Sequence, residues 1–316
     1  MKITQHIKNA NETLFSFEIL PPKKGENIQK LFQNIDPLME FKPPFIDVTY
    51  HREELVLKQT KSGLKKFSVR KRPGTVGICA SLMNKYNVDA VPHVICGGFT
   101  KNQTEEALID FDFLGIDNVL VLRGDPIKGE STFVSNKEGH SHATDLLKQI
   151  NKLNKGVYLD SDQTDNAPTD FCMGVAGYPE KHFEAPNLEE DLKYLKQKVE
   201  LGADYIVTQM FFDNQKYFDF VKLCRENGIT VPIIPGIKPI AIQRHLTILP
   251  QFFHLNLPQE LVDEVKKCKN NQEVRHVGEQ WAIQQCKELM EFGVPVLHFY
   301  SMGKSDNIYN IAKELF

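Results

Sequence analysis

The chain has 316 residues, 41% apolar and 25% charged, with a formal net charge of −3 at pH 7. That balance offers no positive field for nucleic acid or an anionic membrane to find. No apolar run approaches the ~18 residues of a membrane span, and no signal-peptide core opens the chain.

Taken in order, eight short apolar runs alternate with helical stretches: FSFEIL, FIDVTY, AVPHVIC, NVLVLRGD, CMGVAGYPE, YIVTQMFF, VPIIPGI and PVLHFY. Strands alternating with helices predict a parallel sheet. Eight such units predict an α/β fold of the closed (β/α)8 TIM-barrel type, one domain over residues 1–316, a length such barrels accommodate. In that fold chemistry gathers where the strands finish. At the ends of these runs stand Glu18, Thr49, His93, Arg123 with Asp125, Tyr178, Gln209 and His298.

Local signals support the alternation. Gly115, Gly202, Gly228 and Gly293 each close a helical segment just before an apolar run, at the left-handed position glycine enters cheaply. Asn187 with Glu190 predicts a helix start that sets Leu188, Leu192, Leu195 and Val199 on one face. A second helix is predicted from about Asn271 to Phe292, with Trp281 packed against the barrel. Six scattered cysteines without a C-x-x-C pair read as buried thiols in a reducing compartment, so a soluble cytoplasmic protein is expected.

Two connections are long, 51–90 and 126–170. The first carries the basic run Lys61 to Arg72, read as a solvated loop face remote from the strand ends. The second carries Asp160, Asp162 and Asp165, which lack the glycine and glutamate of a calcium loop, so no metal is expected. Dinucleotide G-x-G-x-x-G, Walker A and H-E-x-x-H motifs are absent.

Four groups of residues can carry chemistry. Alternation puts Ser16 and Glu18 on one face of the first strand and Phe15, Phe17 and Ile19 on the other, which predicts an inward, desolvated Glu18 able to act as a general acid. A structural Glu paired with a Lys or Arg fits the spacing equally well. In LRGD, Arg123 and Asp125 share strand parity beside Gly124; they suit an anion and a heterocycle N–H, or form a salt bridge with each other. Gly174, Ala176 and Gly177 strip bulk from the fifth strand next to Tyr178, either to admit a planar ring or to relieve barrel crowding. Gln209 offers an amide donor and acceptor that match a pterin or purine edge.

Nine segments resemble, in family order and across residues 15–302, the catalytic domain of the methylenetetrahydrofolate reductase family: FSFEILPP, FIDVTY, PHVIC, LRGD, YPEKH with EAPN, DLKYLKQKVELGAD, TQMFFD, IIPGIKPI and LHFYSM. The resemblance implies non-covalent FAD at the C-terminal strand ends. It implies reduction of 5,10-methylenetetrahydrofolate to 5-methyltetrahydrofolate, with NADH or NADPH as electron source and two half-reactions at one face of the flavin. By position, Glu18 matches the general acid for folate N10, Asp125 an aspartate that contacts folate beside the flavin, and Gln209 the amide that reads the pterin. Thr49, His93, Arg123, Gly124, Asp125, His142, Ala143, Tyr178, His182, Ala185, Asp191 and Lys198 match positions that cradle FAD, Lys198 near its phosphates. A homo-oligomer is the expected assembly.

The chain also departs from the family pattern. Gln243 stands where an aromatic commonly stacks the substrates, Lys304 where arginine is frequent, and His142 where a flavin-contacting tyrosine is common. The chain stops soon after the eighth unit, so an adenosylmethionine-sensing domain is not expected. Two other readings use the same barrel. One is a flavin-binding sensor without turnover; the other is a Schiff-base aldolase on Lys238 or Lys304, which are the lysines near strand ends and have no evident desolvating neighbours.

Overall fold

The computed structural model describes the whole chain except residues 128–131, 160, 161, 163, 164, 302 and 304. The strands are β1 (Leu14–Ile19), β2 (Phe45–Val48), β3 (Glu54–Thr60), β4 (Gly63–Val69), β5 (Asp89–Ile95), β6 (Asn118–Leu122), β7 (Cys172–Gly177), β8 (Tyr205–Thr208), β9 (Ile233–Ile234), β10 (Gly236–Ile237) and β11 (Val296–Tyr300). Nine of them form one sheet in the order β10-β11-β1-β2-β5-β6-β7-β8-β9, and every pairing in it is parallel. Only Pro235 separates β9 from β10, so the two edges of that order are halves of one strand. β9 pairs with β8, and β10 pairs with β11. The sheet therefore closes into an eight-stave (β/α)8 barrel, as the alternation predicts.

Proline explains the break, because it has no N–H for the ladder. Around it the carbonyl of Pro235 accepts from His298 N at 3.2 Å, and Gly236 N donates to Thr208 Oγ1 at 3.0 Å.

Alternation along the strands sorts two cores. Phe15, Phe17, Ile46, Val48, Val119, Val121, Val175, Ile206, Leu297 and Phe299 face outward and are buried by the surrounding helices. Phe45, Val91, Leu120, Cys172, Tyr205, Val207, Ile234 and Val296 fill the interior with Ile3. Ile3 belongs to the short N-terminal helix Ile3–Asn9 and its N–H donates to the Asn118 side chain at 2.8 Å, which plugs the end opposite the expected site. The helix-closing glycines take φ of 73°, 104°, 77° and 86° at Gly115, Gly202, Gly228 and Gly293. Helices Leu188–Glu200 and Asn271–Phe292 form as expected, the first capped by the Asn187 side chain on Glu190 N, and Trp281 packs on the wall with its N–H on the Phe212 carbonyl.

Of three expectations, one is resolved between its two readings and two are corrected. The small residues of β7 serve packing: a Cβ at Gly174 would overlap the Tyr205 ring, and one at Gly177 would meet Ile206 and Phe220. Second, the shared parity of Arg123 and Asp125 does not hold, because β6 ends at Leu122 and Gly124 turns left-handed at φ 85°. Third, most of the basic run is neither loop nor remote. It forms β4, which pairs antiparallel with β3 in an exposed hairpin, and Arg72 beyond it donates to the Pro21 carbonyl, three residues after Glu18. The alternating ELVLKQT and the Gly63 turn were the available signal. Asp160 of the acidic stretch lies outside the described residues.

Gly174→Ala should lower the unfolding free energy by about 1–3 kcal/mol through overpacking. In a Tyr205→Leu background, where the ring is gone, the same change should cost far less. Urea unfolding of the four proteins checks this; equal costs in both backgrounds would remove the packing explanation.

Candidate functional site

Glu18 is the penultimate residue of β1 and points into the barrel, with its neighbours Phe17 and Ile19 buried on the outer face. Desolvation by burial raises its carboxyl from 4.5 to about 7; His93 and Lys238 oppose that rise and Asp47 adds to it. Lys238, just past β10, is only 6% exposed. Burial lowers its ammonium from 10.5 to about 8 while Glu18 holds it up, and its Nζ donates to the Tyr300 carbonyl at 3.1 Å. The premise that Lys238 lacks desolvating neighbours is thus wrong. Nothing in the run IIPGIKPI announces this, since the lysine is buried by loops distant in sequence.

Below Glu18 the interior is polar. His93 Nε2 lies 3.3 Å from Asp47 Oδ2, and Ser16 Oγ lies 2.8 Å from His298 Nδ1. Asp47 was overlooked, although it alternates with Ile46 and Val48 as Glu18 does with its neighbours. Tyr300 reaches across the mouth from β11 to donate to the Thr208 carbonyl at 2.5 Å. Burial holds its hydroxyl well above the ordinary value, and Glu18, Asp47 and Tyr178 add to that.

On the facing arc, Arg123 pairs with Glu184 at 2.5 Å and stacks over Phe133 at 5.2 Å. It does not bridge to Asp125, so the salt-bridge alternative is not met. Asp125 opens to solvent at the rim, yet partial desolvation raises its carboxyl above the ordinary value, with Arg123 opposing. Its field reaches Tyr178, whose hydroxyl is raised chiefly by burial. Glu18 and Asp125 therefore lie at the same end of the barrel, one at the tip of β1 and the other in the loop after β6.

The loop after β7 gathers the remaining cradle positions. Tyr178 meets His182 edge-on at 4.7 Å, and His182 N donates to Asp191 Oδ2 at 2.8 Å. Desolvation, with Arg123 next, drops the His182 imidazole to about 4. Desolvation raises the Asp191 carboxyl. Ala185 is buried against the Lys181 ammonium, which donates to its carbonyl at 2.6 Å. Lys198 donates to the Ala176 carbonyl at 3.2 Å, and burial lowers its ammonium. Among the described residues no carboxylate lies within 4.0 Å of it. A half-buried ammonium without a contact counter-ion suits an incoming phosphate.

Thr49 donates backbone and side-chain hydrogen bonds to the Ile19 carbonyl, both at 3.1 Å, which locks the tips of β1 and β2. His142 is the exposed cap residue of helix Ala143–Leu153, and Ala143 opens that helix. Gln209 is half-buried, with its amide oxygen turned back onto Met210 N at 2.9 Å. Gln243 is exposed, outside the buried Glu18 cluster, and its backbone N–H donates to the Asn271 side chain at 3.4 Å. Lys304 lies outside the described residues.

Sequence reasoning also missed the base of the hairpin. Tyr50 meets the Phe99 ring at 5.0 Å with a tilt of 58° and lies beneath Arg70 at 5.8 Å; Tyr50 Oη and Arg70 Nε are buried without a hydrogen-bond partner among the described residues. Arg52 reaches the Asp125 carbonyl at 3.5 Å. Orphaned donors at a rim are what a bound group with oxygen acceptors would satisfy. The rim thus fits a large anionic cofactor, and the buried acid beneath it fits proton delivery.

Comparison with known proteins bears on the family. The profile of the family described as methylenetetrahydrofolate reductase matches residues 2–316. The chain is 33% identical to methylenetetrahydrofolate reductase (NADH) 1 of Arabidopsis thaliana, over all of this chain and 51% of that protein. It is 30% identical to the probable methylenetetrahydrofolate reductase (NADPH) of Caenorhabditis elegans, over 98% of this chain and 43% of that one. It is also 30% identical to the 5,10-methylenetetrahydrofolate reductase of Salmonella typhimurium, over 95% of this chain and 90% of that one. It thus spans about half the length of the plant and animal relatives and most of the bacterial one. A solved Clostridium thermocellum protein, described as binding two copies of 5-methyl-5,6,7,8-tetrahydrofolic acid, superposes with a TM-score of 0.57 at 15% identity, covering 99% of this chain and 97% of that one. That likeness bears on the fold alone. No helix among the described residues is long and apolar enough to cross a membrane.

A buried acid held at about 7 instead of 4.5 leaves a stability signature. The folded state retains a proton that the unfolded chain releases, so the penalty is absent below 4.5, grows up to 7 and is full above it. Glu18→Gln should match the wild type at pH 4 and exceed it by roughly 3 kcal/mol at pH 8. Urea titrations across that range measure the gap; a gap independent of pH would place the carboxyl in solvent.

Proposed function

Because this chain belongs to the methylenetetrahydrofolate reductase family, we propose that it reduces 5,10-methylenetetrahydrofolate to 5-methyltetrahydrofolate, with NADH or NADPH as donor and non-covalent FAD as carrier. The observation that carries the reading is the inward acid Glu18, poised at about 7 on the catalytic rim of the barrel. Bound FAD supplies a two-electron carrier between the nicotinamide and the one-carbon unit of the folate.

The protein's own groups do the rest. Glu18, still protonated for a large fraction of molecules at neutral pH, donates its proton to folate N10 and opens the five-membered ring. Positive charge then develops on the folate, and the Asp125 carboxylate at the rim stabilises it. The Gln209 amide turns from Met210 N to read the pterin edge. Lys198, with its desolvated ammonium, holds phosphate. Asp191 fixes the His182 backbone, while Arg123, Gly124, Tyr178, Ala185, Thr49, His93, His142 and Ala143 shape the rest of the cradle. Lys238 keeps the Glu18 carboxyl from rising further, because its positive charge favours the carboxylate.

One observation favours a second reading. Lys238 is desolvated with its amine near neutrality, as a Schiff-base lysine requires. Its Nζ is engaged by the Tyr300 carbonyl, so borohydride treatment with carbonyl substrates should leave it unmodified; a trapped adduct on Lys238 would favour the aldolase.

The isolated protein should bind FAD. In Glu18→Gln, flavin reduction by NAD(P)H should persist while the folate half-reaction falls by about 10²–10⁴-fold. Equal loss in both half-reactions, read by stopped-flow absorbance, would dismiss the acid role. Lys238→Met should move the high-pH limit of the folate half-reaction upward, since losing a nearby cation raises the Glu18 carboxyl. A limit that stays in place would separate the two groups.

A further inference from the structure

A cavity of about 400 Å³ lies between the starts of helices Asn214–Glu226 and Gln259–Lys267 and the later turns of helix Asn271–Phe292. None of the residues assigned above to the acid, the folate or FAD lines it. One face of the long helix forms a side: Trp281, Gln284, Gln285 and Glu288 recur at i, i+3, i+4 and i+7, a stripe about 10 Å long. Phe212 adds an aromatic wall, and its carbonyl fixes the Trp281 ring by accepting the indole N–H at 3.1 Å. Asp213, Glu260 and Glu288 also line the cavity, whereas no lysine, arginine or histidine does among the described residues. Lysines on the adjoining helices are engaged elsewhere, Lys222 with Glu226 at 4.0 Å and Lys267 with Glu264 at 2.6 Å. Asp213 caps its own helix through Gln215 N at 2.9 Å, so the excess charge rests chiefly on Glu260 and Glu288. Asn214 supplies an independent sign of a ligand. It lines the cavity and is only 8% exposed. Its amide nitrogen donates to the Gln285 carbonyl at 3.0 Å and to Glu288 at 2.8 Å. Its Oδ1 is buried without a hydrogen-bond partner among the described residues, an acceptor lacking a donor where acceptors already abound.

We infer that this cavity binds an organic polycation, a linear molecule with two or more ammonium groups joined by methylene segments. Its ammonium groups supply an N–H donor for Asn214 Oδ1 and positive charge for Glu260 and Glu288. Its methylenes lie against Phe212 and Trp281, and an ammonium over the indole face gains a cation–π contact. A metal ion is the poorer fit, because no group of three His, Cys, Asp or Glu side chains among the described residues converges to hold one. Carboxylates on two different helices instead suit a ligand whose charges are several bonds apart. Each exposed ion pair contributes modestly, so affinity comes from engaging both at once and falls with salt. The site stands apart from the reductase chemistry proposed above and does not depend on it.

Trp281 is the only tryptophan of the chain, so its emission reports on this cavity. The full-length protein as isolated is titrated with spermidine, with n-butylamine and with sodium chloride at matched ionic strength, followed by fluorescence and by calorimetry. Spermidine should shift the Trp281 emission saturably and bind about tenfold more tightly than butylamine, an advantage that shrinks in 0.5 M salt. Glu260→Gln with Glu288→Gln should weaken spermidine binding about tenfold, and Glu260→Gln alone, at an exposed position, about threefold. Glu226→Gln, at the far end of helix Asn214–Glu226, should leave the affinity unchanged. An emission change no larger than that of matched salt, equal affinity for the two amines, or an affinity untouched by the Glu260 and Glu288 substitutions would overturn the inference.

Discussion

Closure of the sheet at Pro235 governs the rest of the molecule. Two two-residue strands, one on each side of a residue that cannot donate, each complete a different neighbour's ladder. Closure leaves no open edge and commits every second side chain to a shared interior. Apolar groups fill the lower part of that interior. Toward the C-terminal ends the inward positions pass to Glu18, Asp47, His93, Lys238 and His298, which lose water because the staves and loops surround them. The shifts of Glu18 and Lys238 toward one another follow from this enclosure.

The enclosure costs stability. Asp47 Oδ1, Tyr205 Oη and His298 Nε2 are buried without a partner among the described residues, and each such group weakens a fold relative to an apolar one. The outer core offsets this with aromatic packing: Phe15 meets Phe41, Phe299 and Phe316 at ring separations of 5.5–5.6 Å. Packing also accounts for Gly174 and Gly177, whose missing side chains are replaced by Tyr205 and by Ile206 with Phe220. Glycine beside Tyr178 is thus no sign of a ligand by itself.

The hairpin of β3 and β4 changes the electrostatics of the rim. An isolated two-stranded ribbon is marginal in water, and this one exposes Leu57 at 60% and Leu64 at 66%. Its ends are nevertheless anchored: Arg52 to the loop after β6, Lys71 to Glu54 at 2.5 Å, and Arg72 to the loop after β1. Through these anchors, arginines from a connection that reads as remote reach the backbone of the loops that follow β1 and β6.

Period and punctuation in the sequence were enough to determine the eight-fold alternation, the glycine-closed helices and the inward face of Glu18, because each depends on neighbours two to four residues away. Parity determined as much for Asp47, though the signal went unused. Tertiary structure alone decided that Lys238 is buried, that Arg123 pairs with Glu184 rather than Asp125, that Gln243 is exposed, and that the basic hairpin meets the loops beyond the strand ends. Those outcomes depend on which loops share the rim once the barrel closes, and desolvation and ion pairing act through space between residues tens to hundreds of positions apart.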